Sequence, residues 1–182
     1  MPLAPGTYKL GPVDGTLTAN TGRSGAAAKA GHDLVICVTK WEATLEVGAA
    51  PADTRIALDA DAASLRVRDG SGGIQALGDD DKADIEKSID DDVLKRQDIS
   101  FRSTAVQSAA DGSGLTVEGD LTLVGKARPI TFDVAVADDG KLSGRAVVQQ
   151  TGWGMKLYST LFGTLKVADE VEVVIDVALP VS

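Results

Sequence analysis

Apolar and polar residues alternate along most of this chain, which is the pattern of β-strands with one buried and one exposed face. The stretch from residue 31 to 47 shows the alternation most clearly. Its first half places on one face Leu34, Ile36 and Val38, and its second half Trp41, Ala43, Leu45 and Val47. Because these two sets are out of phase, the pattern predicts a β-bulge at Thr39–Lys40 that bends one long strand.

Similar alternation continues towards the C-terminus, with turns at near-regular spacing between the apolar series. Ile130, Phe132 and Val134 form one such series, and Asp138–Gly140 after it is well suited to a hairpin turn. Counted in this way, the apolar series predict about eight main strands. Short strands in regular succession are typical of an antiparallel barrel. The pattern therefore predicts an all-β fold, an eight-stranded antiparallel barrel.

A helical period is found between about residues 79 and 96. Ile85, Ile89 and Val93 recur at every fourth position, and the acidic first turn suits the positive end of a helix dipole. An amphipathic helix needs one apolar surface to lie on. The sequence therefore predicts one α-helix inserted among the strands of the barrel.

The residues expected on the inner face of the barrel are small. They include Ala43, Ala60, Gly119, Gly144 and Ala146, and the whole chain has 3 Phe, 2 Trp and 2 Tyr. An eight-stranded barrel is just wide enough to be filled by side chains or to hold one small ligand. We expect an incompletely filled interior; the alternative is a flattened barrel whose opposite walls touch, and alternation does not decide between the two.

Length and charge narrow the functional classes. A chain of 182 residues predicts a single domain, residues 1–182. The formal charge of -9 argues against nucleic acid and anionic membrane surfaces as partners. The chain has one Cys, a start unlike a secretory signal, and no apolar run of the ~18 residues that would span a bilayer. We therefore expect a cytoplasmic protein without a membrane span.

Candidate chemistry is sparse. His32 precedes an apolar strand, where its imidazole could bind a quinone carbonyl, a hydroxyl or a phosphate at the mouth of the interior. The alternative is that Asp33 holds His32 in a local turn. A metal site needs about three protein ligands, and Ser24, His32 and Asp33 do not suit a catalytic triad because adjacent strand residues point to opposite faces. No catalytic residue, metal site or cofactor is therefore expected.

Large apolar side chains are the remaining candidates for a site. Those that could form an apolar throat for a flexible chain are Trp41, Trp153, Met155, Tyr158, Leu161 and Phe162. Ordinary barrel packing is the alternative for each of them. The full set of candidate ligand-binding residues is His32, Leu34, Ile36, Trp41, Ala43, Phe101, Phe132, Gly144, Ala146, Trp153, Met155, Tyr158, Leu161 and Phe162.

Several motifs together resemble the YceI-like proteins. The residues that carry the resemblance are Thr21–Gly25, Lys29–Leu34, Trp41, Glu118–Leu123 with Gly125, Gln149–Gly154, Leu161–Val167 and Asp169–Val171. Their order and spacing cover essentially the whole chain, although no single motif is specific. The resemblance implies a lipocalin-like extended antiparallel barrel with a helix near its mouth, whose hydrophobic tunnel holds a long isoprenoid or another lipid tail in characterised members.

Two hypotheses follow from these observations. In the first, the protein is not an enzyme, and it binds, transports or sequesters a long-chain isoprenoid, a quinone-like molecule or a fatty ligand in the barrel interior. In the second, it is a non-enzymatic stress-related or structural interaction module with a closed barrel, which could form a homodimer along an exposed strand. An apolar species retained by natively purified protein would favour the first hypothesis.

Overall fold

A computed structural model of the chain describes residues 3–73, 75–160 and 165–180. The strands in this part of the chain are β1 (Gly6–Leu10), β2 (Gly15–Ser24), β3 (Asp33–Val38), β4 (Trp41–Val47), β5 (Arg55–Ala60), β6 (Leu65–Ser71), β7 (Ile99–Ser108), β8 (Gly114–Leu123), β9 (Lys126–Val136), β10 (Lys141–Gln149), β11 (Ser159–Thr160) and β12 (Leu165–Ala178). The α-helix is α1 (Asp79–Ser88), which continues into a π-helical turn, Ile89–Val93. The short 3₁₀ helices are Ala28–Ala30, Pro51–Asp53, Ala62–Ser64 and Gln150–Trp153.

The strands form one antiparallel sheet that curls around the interior of the molecule. Its order is β1-β4-β5-β7-β8-β9-β10-β12-β2-β3-β6, with β11 beside β12. The curl is evident from β3 and β4, which are consecutive in the chain: β3 pairs with β2 and β6, whereas β4 pairs with β1 and β5. The fold is therefore all-β, with one α-helix and a curled antiparallel sheet, as the alternating pattern predicts.

The expected count of eight strands is not found, since the described residues contain twelve. Three long stretches of extended chain are each interrupted by a corner, at residues 11–14, 39–40 and 61–64, so that each contributes two strands. The two-residue strand β11 adds one more. Alternation in the sequence marks the extended stretches, and its change of phase marks the bend at residues 39–40, but it does not show that a corner divides each stretch into two strands.

The bend predicted at Thr39–Lys40 lies where β3 ends and β4 begins. It is a corner rather than a paired bulge, and the corner Asp61–Ser64 packs against it. The Thr39 backbone N and Oγ1 both donate to the Ser64 carbonyl, at 3.0 and 2.7 Å, and Ser64 Oγ donates to the Lys40 carbonyl at 3.2 Å. The phase shift across this corner is confirmed by the buried residues Ile36, Val38, Trp41, Ala43 and Leu45.

The α-helix is shorter than the predicted span of residues 79–96. It ends at Ser88, and in the π-helical turn that follows the Leu94 backbone N donates to the Ile89 carbonyl at 2.8 Å. Lys95 and Arg96 then adopt positive φ angles of 55° and 56°, which end the helical path. Three aspartates at positions 90–92 would lie at the negative end of a longer helix dipole, and this repulsion disfavours its extension.

Glu86 fastens α1 to β6, which lies at one edge of the sheet. Its Oε1 accepts a hydrogen bond from the Val67 backbone N at 2.9 Å, and its Oε2 lies 4.0 Å from Arg66 Nε. The backbone N–H groups of an edge strand are open to unwanted strand pairing. The carboxylate occupies one of them and fixes the helix beside the sheet.

Candidate functional site

The curled sheet surrounds a cavity of about 490 Å³. Strands β1 to β10 and β12 all contribute residues to its wall, and so do α1 and the π-helical turn. Most of these side chains are aliphatic, from Leu10 in β1 to Val177 in β12. The volume lies within the range of about 300–1,000 Å³ that is usual for small-molecule sites.

Small side chains keep the interior open, as the inner-face pattern predicts. Those on the cavity wall are Ala43, Ala60, Gly144 and Ala146. Gly119 has a different role, because a Cβ there would lie 2.4 Å from Cζ of the Phe101 ring. Gly119 therefore makes room for Phe101, whose ring contacts Phe132 edge-to-face with 5.5 Å between the centroids.

Most of the candidate residues chosen from the sequence meet at this cavity. Those on its wall are His32, Leu34, Ile36, Ala43, Phe101, Phe132, Gly144, Ala146, Met155 and Tyr158. Trp41 and Trp153 instead lie in the core beside it, with 5% and 7% of their surface exposed. Leu161 and Phe162 lie outside the described residues. A strand pattern marks a tryptophan as inward-facing, but packing decides whether it lines a cavity or fills the core.

Trp153 bridges a part of the sheet where strand pairing stops. The ladder between β9 and β10 ends at Arg145 opposite Asp133, although both strands continue beyond it. There the 3₁₀ helix after β10 positions the Trp153 indole, whose Nε1 donates to the Leu121 carbonyl of β8 at 2.8 Å. Because β9 lies between β8 and β10 in the sheet, this hydrogen bond connects the turn after β10 to β8, across β9.

The 3₁₀ helix that carries Trp153 is held at both ends. Asp169 accepts hydrogen bonds from Thr151 Oγ1 at 2.6 Å and from the Thr151 backbone N at 2.8 Å. These two bonds hold the pKa of the Asp169 carboxyl below its ordinary value. Gly154 ends the helix with a φ of 71°, a left-handed conformation that glycine adopts without strain. The position of the indole is therefore fixed by its own turn.

Arg23, His32 and Asp33 form a polar group, called here the polar rim, and the first two of them line the cavity. Arg23 Nε lies 3.2 Å from Asp33 Oδ1, and Arg23 Nη1 donates to the Gly31 carbonyl at 2.6 Å. His32 Nε2 donates to the Gln75 carbonyl at 2.5 Å, since a carbonyl can only accept. Asp33 thus pairs with Arg23, and His32 is fixed by a residue far along the chain rather than by a local turn.

The segment between β6 and α1 packs tightly on the polar rim. A Cβ at Gly72 would lie 2.5 Å from both Nη atoms of Arg23, and one at Gly73 would lie 2.6 Å from His32 Nε2. Both glycines also have positive φ angles, 79° and 75°. The glycine-rich sequence here therefore allows the backbone to cover Arg23 and His32 closely.

The candidate residues chosen from the sequence lack the helical residues that line the cavity. Ile85 of α1, Ile89 and Val93 of the π-helical turn, and Leu94 all lie on the cavity wall. The four-residue period of the first three predicts an apolar helix face, and this period is the signal in the sequence that could have found them. The period does not show that this face covers the cavity, because that depends on where α1 lies beside β6.

The described residues contain neither a helix that could span a membrane nor a group of metal ligands. No helix in the described residues is long and apolar enough to cross a bilayer. Within the same ranges, no three His, Cys, Asp or Glu side chains form a group that could hold a metal ion.

The fold and the cavity define a class of protein in which a curled antiparallel sheet surrounds an apolar chamber. The family model of the YceI-like domain matches residues 12–179 of this chain, which is nearly its full length. The chain therefore belongs to the YceI-like family, and the resemblance seen in its motifs is confirmed. No curated protein matches it significantly.

Solved structures with the same fold come from several bacteria. Burkholderia cenocepacia BcnA is 20% identical, with 89% of this chain and 94% of that chain covered and a TM-score of 0.65. The Campylobacter jejuni YceI protein is 17% identical over 81% and 85% of the two chains, with a TM-score of 0.55. A polyisoprenoid-binding domain from Saccharophagus degradans, implicated in plant cell wall breakdown, is 11% identical over 97% and 100%, with a TM-score of 0.54. At these identities the likeness shows the fold alone.

Proposed function

We propose that this protein binds a hydrophobic isoprenoid- or lipid-like molecule in its cavity and thereby carries or sequesters it. The observation that carries this proposal is the cavity of about 490 Å³, whose wall is mostly aliphatic and comes from nearly every strand of the sheet. A space of this kind suits a flexible apolar chain, because aliphatic contacts are not directional.

The energetics of burial support a chain-like ligand. Each methylene moved from water into such a cavity contributes about 0.8 kcal/mol. Ten of them would contribute about 8 kcal/mol before the costs of association and of ordering the chain. An apolar chain can therefore reach useful affinity here with few polar contacts.

The family and one of its solved relatives agree with this proposal. The Saccharophagus degradans domain with the same fold is described as polyisoprenoid-binding. We extend the same ligand class to this chain because its cavity wall offers mainly Leu, Ile, Val and Ala side chains. Extraction and mass analysis of the bound molecule would identify the isoprenoid or lipid and the length of its apolar tail.

The proposed role is binding rather than catalysis. His32 Nε2 is engaged by the Gln75 carbonyl, and Asp33 pairs with Arg23. A catalytic triad would need Asp33 to orient the imidazole of His32 as a base, and Asp33 does not bond to His32 here.

Protein purified under native conditions is expected to retain an apolar species in about stoichiometric amount. The reason is that the free energy falls when an apolar chain leaves water and fills an aliphatic cavity of this size. Solvent extraction followed by mass spectrometry would detect the species and give its ratio to protein. An albumin-washed sample provides the control, since a lipid adsorbed on the outer surface would be removed by washing.

Repeated preparations with an empty extract would contradict the proposed function. If the same protein then eluted from size exclusion as a stable dimer, the interaction-module hypothesis would be favoured instead. The homodimer stays a prediction that this measurement tests.

A further inference from the structure

The curled sheet has a split in its wall between β9 and β10. In the described residues these two strands pair only where residues 142–145 lie opposite residues 133–136. Residues 126–132 of β9 and residues 146–149 of β10 continue beyond the last pair with no ladder between them, and this unpaired stretch is called here the split. At about 3.3 Å per residue, residues 146–149 make the split about 13 Å long.

The two borders of the split are each held by their other neighbour in the sheet. β9 stays paired with β8 as far as Lys126 opposite Leu123, and β10 stays paired with β12 as far as Gln149 opposite Glu170. Pro129 lies within the β9 border. Because proline has no backbone N–H to donate, it is found on strands that have an unpaired edge. The split is therefore a feature of the wall that the sequence supports, and not a frayed strand end.

The cavity lies directly behind the split. Ile130 and Phe132 of the β9 border and Ala146 and Val148 of the β10 border all line it. Val147, between the last two, faces the other side of the sheet and is 57% exposed. One face of this border thus lines the cavity while the other meets solvent, and no strand ladder closes the wall between β9 and β10 here.

The turn that follows β10, Gln150–Trp153, lies against the β9 border of the split. It contacts β9 directly, and a Cβ at Gly154 would lie 4.0 Å from Lys126 Nζ at the start of β9. The hydrogen bond from Trp153 Nε1 to the Leu121 carbonyl also reaches across β9 to β8. The turn therefore lies where the ladder between β9 and β10 is missing.

The groups that fasten this turn are separate from the groups that line the cavity. Thr151 is held by two hydrogen bonds to Asp169, and Trp153 by its bond to β8. Neither Thr151 nor Trp153 lies on the cavity wall, whereas Gln150 and Met155, at the two ends of the turn, do. The fastening of the turn can therefore be altered without changing the surface that a ligand contacts.

The wall beside the polar rim is less suited to the passage of an apolar chain. His32 is bonded to the Gln75 carbonyl, and the backbone at Gly72 and Gly73 lies so close to Arg23 and His32 that neither glycine has room for a Cβ. A ligand that crossed there would separate polar groups from their partners, which is unfavourable. At the split, no strand pairing has to break.

We propose that the ligand enters and leaves the cavity through the split, and that the turn Gln150–Trp153 is the gate. This inference rests on the proposed function and goes beyond it, because it assigns the route of exchange. The gate opens when the turn releases Asp169 and moves away from β9, while both borders keep their pairing with β8 and β12. A change in the gate alters the barrier and not the two end states, so it changes the association and release rates equally and leaves Kd unchanged.

A cross-link across the split tests the route. When the register of Arg145 opposite Asp133 is continued, Val147 comes opposite Thr131, and both side chains are exposed. The variant is Thr131→Cys/Val147→Cys in a Cys37→Ala background, joined by oxidation or, where the thiols lie too far apart for a disulfide, by a short bismaleimide. Cross-linking is expected to slow both the association and the release of retinol by about tenfold or more, with Kd unchanged. Stopped-flow fluorescence of retinol measures both rates.

Ala135→Cys/Ser143→Cys in the same background is the matched control. It joins the same two strands, but within the ladder, where Ala135 already lies opposite Ser143. This cross-link leaves the split open, so both retinol rates should stay unchanged. Mass spectrometry of each sample verifies that the thiols are joined.

Thr151→Val tests the gate. It removes the hydroxyl that donates to Asp169 Oδ2 and should raise both rates by about fivefold, the equivalent of one net hydrogen bond. Thr151→Ser retains a hydroxyl and should leave the rates unchanged.

Unchanged rates after cross-linking of Thr131→Cys/Val147→Cys, or equal slowing by the control cross-link, would overturn the proposed route. Unchanged rates in Thr151→Val would overturn the role of the turn as the gate. In these cases retinol still binds, and the proposed function stands. If the unaltered protein binds neither retinol nor geranylgeraniol, the proposed function itself fails, and the inference fails with it. Circular dichroism of each variant verifies that the sheet has formed.

Discussion

Replacement of Ala146 by Phe is expected to lower the affinity for an apolar ligand by roughly tenfold or more. Ala146 lies on β10 with its side chain on the cavity wall. A phenyl ring at this position would occupy space that the ligand needs, and each displaced methylene forfeits about 0.8 kcal/mol. Two displaced methylenes are enough for the stated loss. The loss is measured by displacement of an apolar fluorescent dye from the purified protein with geranylgeraniol.

Val147→Phe is the matched control for this substitution. Val147 is the next residue of the same strand, faces the other side of the sheet and is 57% exposed. The same added ring would there project into solvent, so ligand affinity should be unchanged. Equal losses for both variants would indicate a general disturbance of β10, and unchanged affinity in Ala146→Phe would mean that the ligand does not occupy this cavity.

Gly144 is a less suitable position for the same experiment. A Cβ at Gly144 would lie 3.1 Å from Ile175 Cγ2 and 3.4 Å from Val134 Cγ2. A leucine there would press on both neighbouring strands before it reached the cavity. Any loss of binding would then combine strain in the wall with loss of space, whereas Ala146 already has a Cβ.

Local patterns in the sequence predict the strands, the apolar helix face and the bend at Thr39–Lys40. They do so because side chains alternate between faces of a strand, so a change of phase leaves a visible mark. The contact of Glu86 with the Val67 backbone N and that of His32 with the Gln75 carbonyl leave no such mark. The first contact depends on how α1 lies against β6, and the second on the pairing of β3 with β6, and neither is encoded in a local pattern.

Thr21 illustrates the same limit within the cavity. In the sequence it continues the series of Leu17 and Ala19, and a threonine on a strand needs no explanation. Its hydroxyl is buried without a hydrogen-bond partner in the described residues, between its apolar ladder neighbours Leu34 and Val171, and the strand pattern alone does not reveal this. The family motifs likewise predict a hydrophobic interior, but not which polar atom inside it lacks a partner.

Trp153→Ala is expected to lower the free energy of unfolding by about 3–5 kcal/mol, the usual cost of truncating a buried aromatic residue. The cost is high at this position because the indole is only 7% exposed and its Nε1 bonds to the Leu121 carbonyl of β8, beyond the last rung between β9 and β10. A loss of this size is a large share of the stability of a typical domain. Urea denaturation followed by circular dichroism measures it.

Trp153→Phe and Trp41→Phe together separate the role of the indole N–H from that of ring volume. Both tryptophans are buried, but Trp153 Nε1 donates to the Leu121 carbonyl, whereas Trp41 Nε1 is buried without a partner in the described residues. Phenylalanine removes a hydrogen bond at the first position and an unsatisfied donor at the second. Trp153→Phe should therefore cost about 1–2 kcal/mol more than Trp41→Phe. Equal costs would show that the bond to Leu121 does not stabilise the bridge across the separated strands.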